Sequence, residues 1–245
     1  MKAMIFAAGL GTRLSPLTDT LPKALVRVGG KPLLQHTIEK LTVAGFDEII
    51  INIHHFGQQI IDFVEANNCF GIRIEFSDER EQLLDTGGGI KKAAWFFDDN
   101  RPFLVHNVDI LSTVDLREVM NHHLNNEVPA TLVCSERETN RYLLFNDQNH
   151  LRGWINKKTG EVKSPVAKFQ PAGFTHLAFS GIQVLHPSLL HEMDSFPDRF
   201  SIIDFYISLC NTHPITAYLP DKGNILDVGK LEAIQQADLF LLEKS

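Results

Sequence analysis

The sequence predicts an α/β fold: a mainly parallel but mixed sheet with helices on both faces, extended late in the chain by a small antiparallel lobe. Three observations carry this expectation. Apolar strand-like runs alternate with helix-like segments through the first half of the 245 residues, as repeated βαβ units require. From Ala130 the texture changes to short strands separated by Asn, Asp, Gly and Pro, which is the pattern of antiparallel hairpins. A glycine-containing basic loop follows the first strand directly, at the carboxyl edge where such sheets bind ligands.

Element by element, "KAMIFAA" is a short buried strand. "PLLQHTIEKLTVAG" is helical, with Pro32 near its start and Gly45 past its end. "DEIIINI" is a strand, "FGQQIIDFVEAN" a helix, "IRIEFS" a strand, "GGIKKAAWFF" a helix, "PFLVHNVDI" a strand and "DLREVMNHHLNN" a helix. The short strands "ATLVCS", "RYLLFN", "LRGWIN" and "FTHLAFSGIQVL" follow and are expected to cover the substrate end. Two helices, "SIIDFYISLCN" and "KLEAIQQADLFLLEK", enclose the strand pair "PITAYLP" and "NILDVG". With no internal repeat and no linker, one domain over 1–245 is the simplest organisation.

Composition narrows the function. Hydrophobic content of 44% is ordinary for a globular protein, and no run approaches the roughly 18 apolar residues of a membrane span. A lone Lys2 before a short apolar stretch makes no signal peptide, so a cytoplasmic location is expected. Cys69, Cys134 and Cys210 lie far apart without a C-x-x-C pair, the pattern of reduced structural thiols. Net charge of -7 argues against a nucleic-acid surface and against attraction to anionic membrane. Locally the sign reverses. Between Gly9 and Lys31 the cations Arg13, Lys23, Arg27 and Lys31 face the single anion Asp19, which suits a small anionic ligand.

That loop matches neither common phosphate-binding pattern. Leu14 stands where the dinucleotide fingerprint needs its third glycine, and Leu14, Ser15 and Pro16 stand where a P-loop carries Gly-Lys-Ser/Thr. Gly9 and Gly11 can still bring backbone N–H groups against phosphate oxygens. Arg13 can fork onto two oxygens, while Lys23 supplies a point charge. Pro16 and Pro22 restrict the loop and lower the entropy lost on closing over a ligand. Asp109 follows the run "FLVHNV" and Asp227 ends the apolar run in "NILDV". Brought together, the two carboxylates would suit Mg²⁺; taken separately, each also reads as a turn or cap residue.

The segment "AAGLGTRLSPLTDTLPKALVRVGGKPLLQHTIEKL" closely resembles the first motif of the sugar-1-phosphate nucleotidyltransferases, or NDP-sugar pyrophosphorylases. The resemblance continues in order through "DTGGGI", "VHNVDI", "FSGIQVL" and "LDVG". It implies a Rossmann-like nucleotidyltransferase fold in which a sugar 1-phosphate attacks the α-phosphorus of a nucleoside triphosphate and pyrophosphate leaves. Arg13 and Lys23 would bind and stabilise the phosphates. Ala7, Ala8, Gly9, Gly11 and Thr12, with Asp85, Thr86, Gly87 and Gly88, would bind the nucleotide. Asp109 and Asp227 would hold Mg²⁺, and Gly181 would touch the sugar. No general base is needed, because a phosphate monoester with a second pKa of about 6 is already mostly dianionic.

Within the family, the Thr-Gly-Gly-Gly form and the short chain are most similar to N-acetylmuramate 1-phosphate uridylyltransferases of cell-wall recycling, with mannose 1-phosphate guanylyltransferases next. Uracil presents one N–H flanked by carbonyls, whereas the adjacent N–H donors of guanine would suit a carboxylate such as Asp85 or Glu81. In "LLDTGGGI" the glycines could equally form a loop before a helix capped by Thr86. Three positions depart from the family: Val108 before Asp109, Lys230 after "DVG", and the lack of a Glu-Lys-Pro segment. For the last, Lys157, Lys158, Lys163 and Lys168 are the alternatives. His54 and His55 could line the site rim, His122 and His123 fall on the polar side of a helix, and Asp98-Asp99 form a solvated turn. No zinc site is expected, nor a hexapeptide-repeat domain after the last helix. Other readings are a CTP-dependent phosphocholine cytidylyltransferase and a non-catalytic nucleotide-sugar sensor. The expected partners are small-molecule substrates, and no oligomeric state is implied.

Overall fold

The structure, a computed structural model, describes residues 1–242. Along the chain run β1 (Lys2–Phe6), β2 (Arg27–Val28), β3 (Lys31–Pro32), α1 (Leu33–Val43), β4 (Glu48–Ile53), α2 (Gly57–Ala66) and β5 (Arg73–Asp78). Next come α3 (Asp85–Lys92), β6 (Phe103–Asn107), β7 (Ile110–Ser112), α4 (Leu116–Asn126), β8 (Ala130–Ser135), β9 (Arg141–Phe145), β10 (Leu151–Asn156) and β11 (Val162–Lys163). The last elements are β12 (Thr175–Leu185), α5 (Ser188–Glu192), α6 (Ile202–Leu209), β13 (Ile215–Tyr218), β14 (Ile225–Asp227) and α7 (Leu231–Leu242). The closing helix was expected to reach Lys244; Glu243 and Lys244 lie outside the described residues. Two compact units interleave in sequence. Unit 1 takes Met1–Leu83, Val105–Arg117 and Lys222 onward, and unit 2 takes Leu84–Leu104 and Glu118–Asp221.

Unit 1 carries the parallel ladder of β1, β4 and β5, with β2–β3 and β7–β14 as short antiparallel pairs. β1 runs parallel to β4, and β4 to β5, with Met4 opposite Ile50 and Ile50 opposite Glu75; β6 lies on the other side of β1. Ala3, Met4 and Ile5 of β1 and Ile49, Ile50 and Ile51 of β4 have no exposed surface. Such unbroken apolar runs are what strands buried on both faces need. Helix α1 buries Leu33, Leu34, Thr37, Ile38 and Leu41, a single stripe at helical spacing, each large apolar side chain contributing about 1.5–3 kcal/mol. It ends in a Schellman motif. Gly45, at φ +90°, donates to Thr42 O at 2.9 Å, and Phe46 donates to Leu41 O at 3.0 Å. A β-branched residue at position 45 would break this stop, since only glycine adopts that φ without strain.

Unit 2 carries the antiparallel pairing. The long β12 pairs with β8 and β9, β9 with β10, and β10 with β11, while β13 joins β8 in parallel. The sheet is therefore mixed, as the change of texture at Ala130 implied. Helix α6 is capped by Ser201, whose side chain accepts from Ile203 N at 3.2 Å. It buries Phe205 and Tyr206, and the Tyr206 hydroxyl donates to Gln183 Oε1 at 2.9 Å.

Three local expectations are corrected. The segment "PFLVHNVDI" is not one strand: β6 stops at Asn107 and β7 starts at Ile110, so Asp109 stands in the turn between them. The glycine run lies inside α3, which starts at Asp85, and Thr86 does not cap it. Gly87 and Gly88 pack there too closely against Phe200 and Asp198 to admit a Cβ. His123 is buried rather than on a polar face, its Nδ1 3.0 Å from Thr131 Oγ1; desolvation pushes its pKa down to about 4, and His186 and His122 add to the shift. Asp98 and Asp99 are exposed as expected. Among the described residues the three cysteines are free thiols, and no helix is long and apolar enough to cross a membrane.

Candidate active site

Within unit 1 the chain leaves β1 through Ala7 and Ala8, both buried. Their N–H groups donate to Asn52 Oδ1 at 2.7 and 3.2 Å. Beyond them Gly9 and Leu10 emerge into solvent. Gly11 turns the chain back at φ +66°, and a Cβ there would lie 2.9 Å from Thr18 Cγ2, so both conformation and space require glycine. Thr18 closes the loop by donating to Gly11 O at 2.9 Å, and Leu14, fully buried, anchors it. Among the described residues the N–H groups of Gly9, Leu10 and Gly11 have no hydrogen-bond partner. Unpaired N–H groups on an exposed turn form a ready anion site. Thr12 and Arg13 are exposed at its rim.

The charged centre is built by strand pairing. β14 runs antiparallel to β7, with Asp227 opposite Ile110 and Val228 N donating to Asp109 O at 2.8 Å. This pairing makes the two carboxylate-bearing residues neighbours. Lys23, on a short 3-10 turn after Pro22, forms an ion pair with Asp109. Both side chains are mostly shielded, at 11% and 17% exposure, so the attraction is screened far less than on an open surface. Asp227 Oδ1 accepts from Gly229 N at 2.8 Å. A Cβ on Gly229 would fall 2.6 Å from that oxygen and 2.9 Å from Arg13 Nη2, which puts the Arg13 guanidinium against Gly229. The structure thus gathers Arg13, Lys23, Asp109 and Asp227. Behind them His106 is fully buried; desolvation pushes its pKa down to about 4 and Lys40 adds to this, against the Asn107 hydrogen bond and Asp109.

The pair Asp109 and Asp227 fits Mg²⁺. Both offer the hard oxygen donors that Mg²⁺ takes, and a bound ion would share the Asp109 carboxylate with the Lys23 ammonium paired to it. Among the described residues no group of three or more His, Cys, Asp or Glu side chains gathers as a metal site. Mg²⁺ does not need one, since it keeps several waters and is typically held by one or two carboxylates with substrate phosphates.

Asp85, Thr86, Gly87, Gly88 and Gly181 belong to unit 2. Asp85 is ion-paired with Arg199 at 2.9 Å, and Thr86 Oγ1 accepts from Ile202 N at 2.9 Å. The N–H groups of Gly87 and Gly88 both donate to Phe200 O, at 2.9 and 3.3 Å. A Cβ on Gly87 would lie 2.3 Å from Phe200 Cε2, and one on Gly88 would lie 2.0 Å from Asp198 O. These glycines let α3 approach another backbone segment. Gly181 sits at φ +73° where the register of β12 against β8 breaks between Phe179 and Gln183, a bulge of the kind found beside active sites. Of the four lysines considered for the sugar phosphate, Lys163 is held by Asp204 at 2.8 Å and Lys157 lies 4.4 Å from the Tyr142 ring centroid; Lys158 and Lys168 are exposed.

Sequence reasoning missed Asn52, Glu79, Thr18 and Gly229. Asn52 had a signal, an amide ending the apolar run "EIIIN". Gly229 lay in a quoted motif without a role, because what it makes room for, Arg13, is remote in sequence.

A nucleotidyl transferase family model matches residues 2–244. N-acetylmuramate alpha-1-phosphate uridylyltransferase of Neisseria meningitidis serogroup B is 36% identical over 199 residues, covering 79% of this chain and 85% of the relative. The protein of that name in Caulobacter vibrioides is 30% identical over 248 residues, covering 98% and 97%. Among solved structures, HddC from Yersinia pseudotuberculosis complexed with GMP-PN superposes with a TM-score of 0.79 at 25% identity, covering 98% of this chain and 99% of that one.

Proposed function

The chain belongs to the nucleotidyl transferase family, and we propose that it transfers the uridylyl group of UTP to N-acetylmuramate 1-phosphate, forming the UDP-linked sugar and releasing pyrophosphate. At the coarser level it is a sugar-1-phosphate nucleotidyltransferase. The observation that carries the reading is the convergence of two cations and two carboxylates beside a loop of unpaired N–H groups. That combination suits phosphoryl transfer, in which catalysis is almost entirely positioning and charge neutralisation.

A phosphate oxygen of the sugar 1-phosphate attacks the α-phosphorus; the bond from that phosphorus to the bridging oxygen breaks, and its electron pair leaves with pyrophosphate. The Gly9–Gly11 N–H groups orient the triphosphate, while Arg13 and Lys23 stabilise the charge shifting onto the leaving group. Asp109 and Asp227 would hold Mg²⁺, which when bound supplies charge neutralisation at the phosphates. Uracil is chosen over guanine on the names of the relatives; of the two carboxylates that could read adjacent guanine donors, Asp85 is paired with Arg199 through one oxygen and Glu81 is exposed. The relatives' names support N-acetylmuramate, hence a step in cell-wall recycling.

The test is Mg²⁺-dependent pyrophosphate release from UTP with N-acetylmuramate 1-phosphate, with GTP and mannose 1-phosphate run in parallel. Release from the first pair supports the assignment. Release from the second pair alone keeps the reaction class and overturns the substrates, and release from neither overturns both substrate pairs.

A further inference from the structure

Beneath the phosphate loop lies a buried polar pair that the chemistry above does not use. Asn52, 3% exposed, comes near the end of β4, and Glu79, with no exposed surface, follows β5. The Asn52 amide works at both ends. Its Oδ1 takes the N–H groups of Ala7 and Ala8, and its Nδ2 donates to Glu79 Oε1 at 2.7 Å. Glu79 is itself tied down through its backbone: its N–H donates to Ile53 O at 2.8 Å, and its carbonyl accepts from Gln82 N at 3.0 Å and from His54 Nδ1 at 2.7 Å. A carbonyl can only accept, so Nδ1 is the protonated nitrogen of His54.

Burying a carboxylic group and an amide is costly unless their hydrogen bonds are used. Here they link the exits of three parallel strands to the first two residues of the loop. An amide can turn over and present either its oxygen or its nitrogen, and the partner decides which. The Glu79 acceptor holds the nitrogen of Asn52, which leaves the oxygen for the loop. With Ala7 and Ala8 bound inward, the N–H groups left for an anion begin at Gly9.

We infer that Asn52 is a positioning residue for the triphosphate, with Glu79 as the group that sets its orientation. This rests on the nucleotidyl-transfer reading. Ala7 and Ala8, placed by resemblance among the nucleotide-binding residues, then act by being tethered rather than by donating to the ligand.

The test reverses the polarity of the pair. Asn52→Asp sets carboxylate against carboxylate, whereas Asn52→Asp combined with Glu79→Gln restores a donor facing an acceptor while the aspartate still accepts from Ala7 and Ala8. For the single variant, calorimetry with UTP is expected to show affinity lower by about tenfold or more. The KM for sugar 1-phosphate should stay within about twofold, because only the loop is disturbed. The double variant should recover UTP affinity to within about threefold of the parent protein. Equal impairment of both variants, or UTP affinity unchanged in Asn52→Asp, overturns the inference. Hydrogen exchange at the Ala7 and Ala8 amides without nucleotide gives a readout independent of function: exchange faster in the single variant and slowed again in the double supports the tether, and unchanged exchange overturns it. If the unsubstituted protein binds no nucleoside triphosphate, the functional reading fails while the exchange result still decides the tether.

Discussion

Gly9–Gly11 in unit 1 and Gly87–Gly89 in unit 2 look alike in sequence and do opposite things. Around Gly9 nothing lies within 4 Å of a would-be Cβ, and the loop N–H groups are unpaired among the described residues. Around Gly87 and Gly88 a Cβ would collide with Phe200 and Asp198, and both N–H groups are consumed by Phe200 O. Gly9 leaves its backbone open to solvent, whereas Gly87 and Gly88 close theirs against their own chain. A glycine run therefore signals close approach; what approaches is decided by residues remote in sequence.

The contrast can be broken at graded cost. Asp109→Asn in unit 1 should lower pyrophosphate release about a thousandfold, as expected when a charge-stabilising group is lost from a phosphoryl-transfer centre. Steady-state turnover checks this, and full activity would remove the charged centre from the mechanism. Acid should weaken both units over one pH window. His106 in unit 1 and His123 in unit 2 have folded pKa values of about 4 against an ordinary 6.5. The folded values lie below the unfolded ones, so the stability from keeping these rings neutral is complete above pH 6.5 and is lost as pH falls through about 4. For His106 that amounts to about 3 kcal/mol, and His123 adds in the same direction. Urea unfolding across that range should show the loss, and His106→Gln should flatten it.

Gly88→Ala should cost about 3 kcal/mol of stability by forcing α3 off the Asp198 carbonyl, read as a lower midpoint in thermal or urea unfolding. Gly229→Ala should act on turnover more than on folding, displacing Arg13 and lowering kcat about tenfold. Gly9→Ala is the mildest. Its stability change should stay within about 0.5 kcal/mol, while UTP affinity falls because a methyl group shields the loop N–H groups. A Gly9→Ala variant as unstable as Gly88→Ala would erase the distinction between the two runs.

Much of this was legible before any coordinates. The alternation through Asn126 gave the parallel strands of unit 1, and the Schellman stop at Gly45 was visible as a glycine after an apolar stripe. Arg13, Lys23, Asp109 and Asp227 were named as one set and are brought together. The misses share a cause. The start of α3 was placed too late because glycine lowers helix propensity, and packing against Phe200 overrides that preference. The span 102–110 was read as one strand because its apolar run continues through Val108; the chain nevertheless turns there and places Asp109 against Lys23. His123 was put outside by its neighbour, yet Thr131 provides a buried partner.

By itself the sequence determined most of the elements and their order, and the basic loop in an acidic chain, because periodicity and glycine placement are local properties; the family was legible as a resemblance carried by its motifs, while the short elements β2, β3, β11 and α5 were not legible. The tertiary structure decided which N–H groups stay unpaired, that Lys23 rests on Asp109, and that Asn52 and Glu79 hold the loop. Each of these depends on a partner from a different strand or turn, and hydrogen bonds and ion pairs exist only once folding has set the distance between them.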